Sequence, residues 1–332
     1  MLKKARIIGT GSAVPQRILT NKELEDIVDT SDKWITRRTG IKERRICSKK
    51  LGESTTVLAQ QACLNAMEMA GVSPQSIDMI VIGTVTSDRM FPSTACMVQE
   101  ALEIEDIPAF DVSAGCSGFI FALTVANNAI RCGTSKRILV AGVERLSSIV
   151  NWEDRGTCVL LADGAGAVVL DSTTEEEGIL STHIKSDGTA GKLLYSADGN
   201  PYTPEILQDI LDKKPFHLKM DGHRLFKRAI NCLTSIAKEA MEHNSLSSKD
   251  IALVVPHQAN IRIIQGLAKN LRIPMEKIYT NIEKYGNTSS ASIPIALDEA
   301  NRKGLMMSGG YALLATFGAG LTWASAILKW SI

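Results

Sequence analysis

A thiol, an imidazole and a carboxamide stand at three loop-to-helix starts of this chain, and together they could carry acyl transfer. Cys116 lies in SAGCSGF, after the strand-like AFDV and before the apolar run FIFALTVANNAI. This context predicts a sulfur at the N-terminus of a buried helix, where the helix dipole and free N–H groups favour thiolate over thiol. Gly115 and Gly118 leave the sulfur approachable and permit tight backbone packing. A packed core cysteine at a strand–helix turn is the competing reading. His257 ends the strand-like IALVVPH and opens HQANIRIIQGLAKN. Alpha/beta proteins place catalytic groups at such strand tips; a locally bonded helix-start histidine is the alternative. Asn287, in KYGNTSSASIP, opens another helix, as an N-cap or as an amide donor near the position that Cys116 holds in the first half. One pocket holding all three suits a covalent acyl intermediate.

The elements around these residues alternate. ARIIGTG, MIVIGTV, RILVAGVE and GAVVLD read as strands, followed later by IALVVPH and YALLATFG. The runs are short, apolar and nearly continuous, as in strands buried on both faces. TTVLAQQACLNAMEMAG and RLFKRAINCLTSIAKEAMEH carry helical spacing, the first with Gly71 as its stop. The pattern predicts an α/β protein, and it repeats. Asp78 and Asp250 are 172 residues apart, Cys116 and Thr288 also 172, Leu139 and Leu313 174. Two like halves, 1–172 and 173–332, are therefore expected to pack face to face, joined through the acidic DSTTEEEGIL. Their corresponding loops would converge on a shared interface, where ligand sites gather. Lys185 to Lys219 reads as an irregular insertion near the site.

The chain has 332 residues, about two domains' worth, with 45% hydrophobic and 22% charged residues. A net charge of +1 argues against a general nucleic-acid binder. No apolar run reaches the ~18 residues of a membrane span, so no membrane partner is expected. ARIIG after Lys3 and Lys4 is too short for a secretory core and reads as a first strand. Seven cysteines without a C-x-x-C pair fit reduced cytoplasmic thiols. His183, His217, His223 and His243 fall in polar stretches and are expected to be solvated; no histidine or cysteine pair has zinc spacing. GTGSAVP lacks the third glycine of a dinucleotide fingerprint, and Pro15 interrupts any helix there. DGAGA at 163–167 reads as a tight turn. Basic residues gather at Arg37, Arg38, Lys42, Arg44 and Arg45, at Lys219, Arg224, Lys227 and Arg228, and at Arg262, Lys269 and Arg272. They form either solvated faces or a surface for an acidic or phosphorylated partner.

SDKWITRRTGI, FPSTAC, DVSAGCSGF, DRGT, DGAGA, PHQANIRI, YGNTSSAS and FGAGLTW follow one another in an order that resembles the bacterial β-ketoacyl-acyl-carrier-protein synthases III over nearly the whole length. The resemblance implies a thiolase-like fold, duplicated α/β units in five layers α-β-α-β-α, and a homodimer. It implies a Cys116, His257, Asn287 triad and an oxyanion hole from the backbone N–H groups of Cys116 and Ala319. Trp34 and Arg155 resemble the pair that clasps the CoA adenine, and Arg38 a pantetheine or phosphate contact. Gly222, Phe226, Ala259 and Asn260 resemble the pantetheine tunnel, and Phe317 the residue beside the triad. His223 stands where some members carry an asparagine, and Ala319 within a loop that is often three glycines. Phe91 resembles the residue that closes the partner subunit's acyl pocket, and Leu161, expected on the strand after DRGT, another wall. Gln258, Ala259, Asn260, Ile261 and Arg262 resemble the carrier-protein docking segment.

The reaction so implied takes an acyl group from a short acyl-CoA, acetyl-CoA first among them, onto Cys116. It then condenses that group with decarboxylating malonyl-acyl-carrier-protein, needing no metal, flavin or nicotinamide. Decarboxylation drives the carbanion step, so that step needs no separate carboxylate base. A secondary-metabolism acyltransferase with the same triad is the nearest alternative. A papain-type hydrolase is disfavoured by the absence of CGSCW.

Overall fold

The computed structural model describes residues 3–196 and 218–332. Its strands are β1 (Lys4–Ala13), β2 (Ile18–Thr20), β3 (Glu43–Arg45), β4 (Met79–Gly83), β5 (Ala109–Val112), β6 (Arg137–Arg145), β7 (Asp163–Thr173), β8 (Gly178–Ser186), β9 (Leu194–Ser196), β10 (Leu218–Met220), β11 (Ile251–Pro256), β12 (Tyr311–Gly318) and β13 (Thr322–Lys329). The helices of eight residues or more among the described residues are α1 (Asp32–Thr39), α2 (Thr55–Ala70), α3 (Thr94–Ala101), α4 (Gly118–Cys132), α5 (Gly222–His243), α6 (Ile261–Leu271) and α7 (Ser292–Arg302).

Two sheets organise the chain, in the orders β1-β7-β6-β4-β5 and β8-β13-β12-β11. Each begins with two antiparallel pairings and continues in parallel. A single parallel bridge from Val254 to Ile278 stands where the first sheet has β5. The chain passes from one sheet to the other between Thr173 and Gly178. Strand interiors such as Ile80–Ile82 and Leu313–Leu314 are fully buried because helices cover both faces. α4 and α7 lie between the sheets. Phe119, Ile120, Leu123, Ala126 and Ile130 of α4 are all buried, the wide apolar surface a helix between two sheets requires. α2 and α3 cover the outer face of the first sheet, and α5 and α6 that of the second. The layers are therefore α-β-α-β-α. Helix stops follow the sequence where glycine permits: α2 ends at Gly71 with φ +64°.

Several expectations need correction. DGAGA is the start of β7, not a turn. Its glycines serve close approach, since a Cβ on Gly166 would sit 2.6 Å from the Ile295 nitrogen of α7. Arg44 belongs to no basic surface. It is fully buried, and its guanidinium donates to the Leu19 and Val159 carbonyls and to Asn21 Oδ1. Leu161 lies not on a strand but on an isolated bridge to Asn287, closed by Asn287 N–H to Leu160 O and Ala162 N–H to Asn287 O, both 2.9 Å. His183 is not solvated. It sits half-buried on β8, its ring 5.1 Å from His243 and 3.6 Å from Glu239. The stretch 185–219 is only partly an irregular insertion: Lys185 and Ser186 end β8, and β9 and β10 pair as a ribbon. Gly188–Leu193 form a 3-10 helix, and residues 197–217, with His217, lie outside the described residues.

Candidate active site

Cys116 lies in a single 3-10 turn, Gly115–Ser117, at the head of α4. Two glycines bring this turn against the loop after β12. A Cβ on Gly115, whose φ is +54°, would meet the Ala319 nitrogen at 2.8 Å, and one on Gly318 would meet the Cys116 nitrogen at 2.5 Å. Gly115 thus provides the tight backbone packing expected of it. Hydroxyls fix the junction: Thr316 donates to Cys116 O at 2.9 Å and Thr322 to Ala114 O at 2.8 Å. Burial pushes the thiol up to about 11, against the Ser289 hydroxyl and the N–H groups of Cys116 and Ala319, which all face the sulfur and favour the thiolate. The N–H groups at the helix start favour the thiolate as expected, and desolvation outweighs them.

The second half repeats the arrangement with a 3-10 turn at Ser289–Ala291, 174 residues on, heading α7. Ser290, not Asn287, takes the place of Cys116, and Asn287 stands three residues earlier. Asn287 is no N-cap. Its Oδ1 accepts from Ser289 N–H at 2.9 Å, which leaves the amide NH2 free to donate. His257 follows β11, held by its own N–H to Ala315 O at 2.8 Å. Its Nδ1 lies 2.9 Å from the Ser292 hydroxyl, which also accepts from Gln258 N–H at 2.7 Å. The Ser292 proton finds no other acceptor among the described residues, so Nδ1 accepts it and Nε2 carries the ring proton. Burial lowers the imidazole to about 4 and keeps it neutral.

A cavity of about 670 Å³ joins these groups. Cys116, His257, Asn287, Phe317 and Ala319 line its floor, with Leu161 on a wall; Trp34, Arg38, Arg155, Gly222, Phe226, Ala259, Asn260 and Arg262 line it further out, with His223 among them. Arg38 and Arg155 stack on Trp34 with guanidinium carbons 4.8 and 5.0 Å from the ring centroid, and Arg262 lies 5.7 Å from the Phe226 ring. Arg262, Lys227 and Lys269 are exposed, and Ile261 is half-buried. Gln258 is corrected as a docking residue. It is 1% exposed, and its amide binds Pro256 O, Tyr279 O and Asn281 N–H, so it fixes the backbone under the site. Phe91 lines no part of its own chain's cavity. It is 80% exposed beside Met90 at 78%.

Sequence reasoning passes over Ser289, Ser292 and Glu144. Ser289 and Ser292 stand in the quoted YGNTSSAS, with no mark to separate them from ordinary turn serines. Glu144 carries a faint signal, an acid closing the apolar run RILVAGVE.

Five layers built from two like halves, with a cysteine turn at the centre, define a thiolase-like condensing enzyme. The family model for 3-oxoacyl-[acyl-carrier-protein] synthase III matches residues 110–188, and that for its C-terminal part matches residues 241–330. The β-ketoacyl-[acyl-carrier-protein] synthase III of Caldanaerobacter subterraneus subsp. tengcongensis is 48% identical over 327 residues, 98% of each chain. The crystal structure of 3-oxoacyl-[acyl-carrier-protein] synthase III from Aquifex aeolicus superimposes with a TM-score of 0.91 at 45% identity, covering 98% of this chain and 100% of that one. The priming β-ketosynthase of the R1128 polyketide pathway gives 0.92 at 35% identity, covering 99% and 96%. The chain belongs to the β-ketoacyl-acyl-carrier-protein synthase III family.

Proposed function

We propose that the chain condenses a short acyl-CoA primer with malonyl-acyl-carrier-protein to 3-oxoacyl-carrier protein, the initiating step of dissociated fatty acid synthesis, with Cys116, His257 and Asn287 as its catalytic residues. The observation that carries this reading is the pair of fixed donors, His257 Nε2–H and the Asn287 amide, on one cavity floor with the Cys116 sulfur. The thiolate attacks the acyl-CoA carbonyl while the N–H groups of Cys116 and Ala319 bind the oxyanion. CoA leaves and the acyl group stays on sulfur. Malonyl thioester then enters, and its carbonyl oxygen accepts from His257 and Asn287. Those donors stabilise the enolate as CO2 departs, and the carbanion attacks the acyl-cysteine. Acyl-CoA and malonyl-acyl-carrier-protein are the only co-reactants this scheme needs. Trp34 and Arg155 would hold the adenine, Arg38 a phosphate or the pantetheine, and Gly222, Phe226, Ala259 and Asn260 the pantetheine arm. We read the protein as a cytoplasmic homodimer; among the described residues no helix is long and apolar enough to cross a membrane.

The test supplies purified protein with acetyl-CoA and malonyl-acyl-carrier-protein and measures 3-oxoacyl product against free acid. Free acid alone would overturn the reading. The likeness to the R1128 priming β-ketosynthase supports a second reading, a priming enzyme of secondary metabolism. A scan of primer length and of acceptor carrier proteins separates the two.

Carrier-protein docking gives one prediction. Acyl carrier proteins are acidic, and Arg262 stands exposed on α6 and lines the cavity, with Lys269 two turns on along the same helix and Lys227 on α5. Arg262→Glu should raise KM for malonyl-acyl-carrier-protein about tenfold and leave acylation by acetyl-CoA nearly unchanged. Equal loss in both half-reactions would point instead to a damaged tunnel.

Primer length gives another. An exposed phenylalanine beside an exposed methionine is an apolar tip without a partner in its own chain. If the ring closes the partner's acyl pocket, Phe91→Ala enlarges that pocket. One methylene in a full pocket is worth about 1–3 kcal/mol. The preference in kcat/KM should therefore move about tenfold or more toward longer acyl-CoA, with acetyl-CoA turnover falling modestly and the dimer loosening in sedimentation. An unchanged chain-length profile would remove Phe91 from the pocket.

A further inference from the structure

The tautomer of His257 leaves the Cys116 thiol without a base. Its Nδ1 is occupied by Ser292 and its Nε2 already carries a proton, so the imidazole cannot accept another while it stays neutral. A second titratable group is hydrogen-bonded to the serines of the 289–291 turn. Glu144, next to last in β6, is fully buried and makes no ion pair among the described residues. Its carboxylate accepts from Val85 N–H at 3.2 Å, from the Thr86 hydroxyl, from Ser290 Oγ at 3.0 Å and from Ser289 Oγ at 3.3 Å. Ser289 lines the cavity with Cys116, on a turn packed against the cysteine turn, and its hydroxyl favours the thiolate. One hydroxyl thus stands between a thiol and an unpaired carboxylate.

We propose that Ser289 and Glu144 form a proton path for Cys116, with Glu144 taking the thiol proton during acylation and returning it during condensation. This rests on the reading of Cys116 as the acyl acceptor. In the first half-reaction the Cys116 S–H bond breaks and its proton joins the Ser289 oxygen, while the Ser289 proton joins a Glu144 oxygen. The sulfur electron pair forms the new C–S bond. The thioester bond to CoA breaks, and the leaving thiolate takes a proton from water. In the second half-reaction the new C–C bond forms and the tetrahedral intermediate expels the Cys116 thiolate. The Glu144 proton then returns through Ser289. One solvent proton is consumed per turnover, as the loss of CO2 from the malonyl carboxylate requires.

The surroundings tolerate both states of Glu144. The Ser290 hydroxyl lies 2.8 Å from Gly83 O and can donate there, leaving its oxygen free to accept from a protonated Glu144. Burial raises the carboxyl to about 7, held down by its hydroxyl and N–H donors, so it can change protonation in the working range. The other charged groups nearby are committed. Arg145, next on β6, pairs with Asp88 at 3.5 Å, and Asp163 on β7 is taken by Cys47 N–H and by the Ser147 N–H and hydroxyl. The 289–291 turn presents only hydroxyls, and across the cavity stands the neutral His257.

The experiment follows the single-turnover rate of acetyl adduct formation on Cys116 from acetyl-CoA, by intact-protein mass spectrometry from about pH 5.5 to 9. The native rate should rise about tenfold per pH unit to a break near 7 and then level off, because the base is the Glu144 carboxylate and it is fully ionised above the break. Ser289→Gly, which keeps the positive φ of 50° comfortable, and Glu144→Gln should both lose the break and rise steadily. Ser290→Ala should keep it, moved to higher pH, because it removes one donor to Glu144 without touching the path. A native profile without a break overturns the proposal, even if both path variants fail to fold. A break that survives Glu144→Gln or Ser289→Gly, or is lost in Ser290→Ala, also overturns it. Absence of the acetyl adduct on native Cys116 would instead overturn the acyl-acceptor reading beneath it.

Discussion

Cys116→Ser should form no acyl-enzyme with acetyl-CoA and lose condensation by about four orders of magnitude or more. The substituted hydroxyl keeps the place of the sulfur but not its acidity. Burial already holds the thiol up at about 11 despite two backbone N–H groups and the Ser289 hydroxyl. An alkoxide there is further out of reach by several units, and the neutral, Nε2-protonated His257 cannot take up the proton. Intact-protein mass spectrometry after a short exposure to acetyl-CoA reads the outcome directly. The native chain gains one acetyl group, mapped by peptide analysis to Cys116, and the variant gains none. The other free cysteines are internal controls. Cys63 and Cys158 are buried, with thiols that burial raises to about 12 and about 11, and neither lines the cavity. Normal condensation by Cys116→Ser, or an adduct on another cysteine that tracks turnover, would show that the nucleophile lies elsewhere.

How much of this was legible in the sequence differs by residue. Strands buried on both faces are written as continuous apolar runs, and the 172- and 174-residue offsets expose the duplication. Cys116 is legible because glycines flank a thiol between a strand and an apolar helix. Other features depend on what stands across an interface that one segment does not record. The glycines of DGAGA look like a turn in isolation and lie within β7 because α7 presses against them. Arg44 looks like part of a basic face and is buried because acceptors from two separate segments, Leu19 and Asn21 on one and Val159 on the other, converge on its guanidinium. In QANIR the chain leaves a strand and starts a helix, so neighbouring side chains diverge: Gln258 turns inward to bind backbone, and Arg262 turns outward. Ser292, which decides the tautomer of His257, is one of several serines in a row. Glu144 is one acid among many until the second half supplies Ser289 and Ser290 above it.

The two halves of the reaction should separate in His257→Ala. This variant should still take the acetyl group from acetyl-CoA and then stall, with CO2 release from malonyl-acyl-carrier-protein falling about 10²- to 10⁴-fold. The reason lies in what the imidazole offers. Nδ1 is occupied by Ser292, so the free edge is a neutral N–H donor with no part in opening the primer thioester. Its partner, the Asn287 amide, is aimed by the bond between its Oδ1 and Ser289 N–H. Asn287→Ala should fail at the same step. Because burial holds the imidazole at about 4 instead of the usual 6.5, native decarboxylation should show no loss from imidazole titration between pH 6 and 8. The same shift fixes a stability sign. Below pH 6.5 the unfolded chain binds a proton that the folded imidazole refuses, so His257 makes the fold progressively less stable down to about pH 4. The decisive readings are the acetyl adduct by mass spectrometry and labelled CO2 release on the same preparation. If His257→Ala fails to acylate while its folded content and CoA affinity are normal, the imidazole acts in the first half-reaction, and the donor role assigned by the Ser292 contact is wrong.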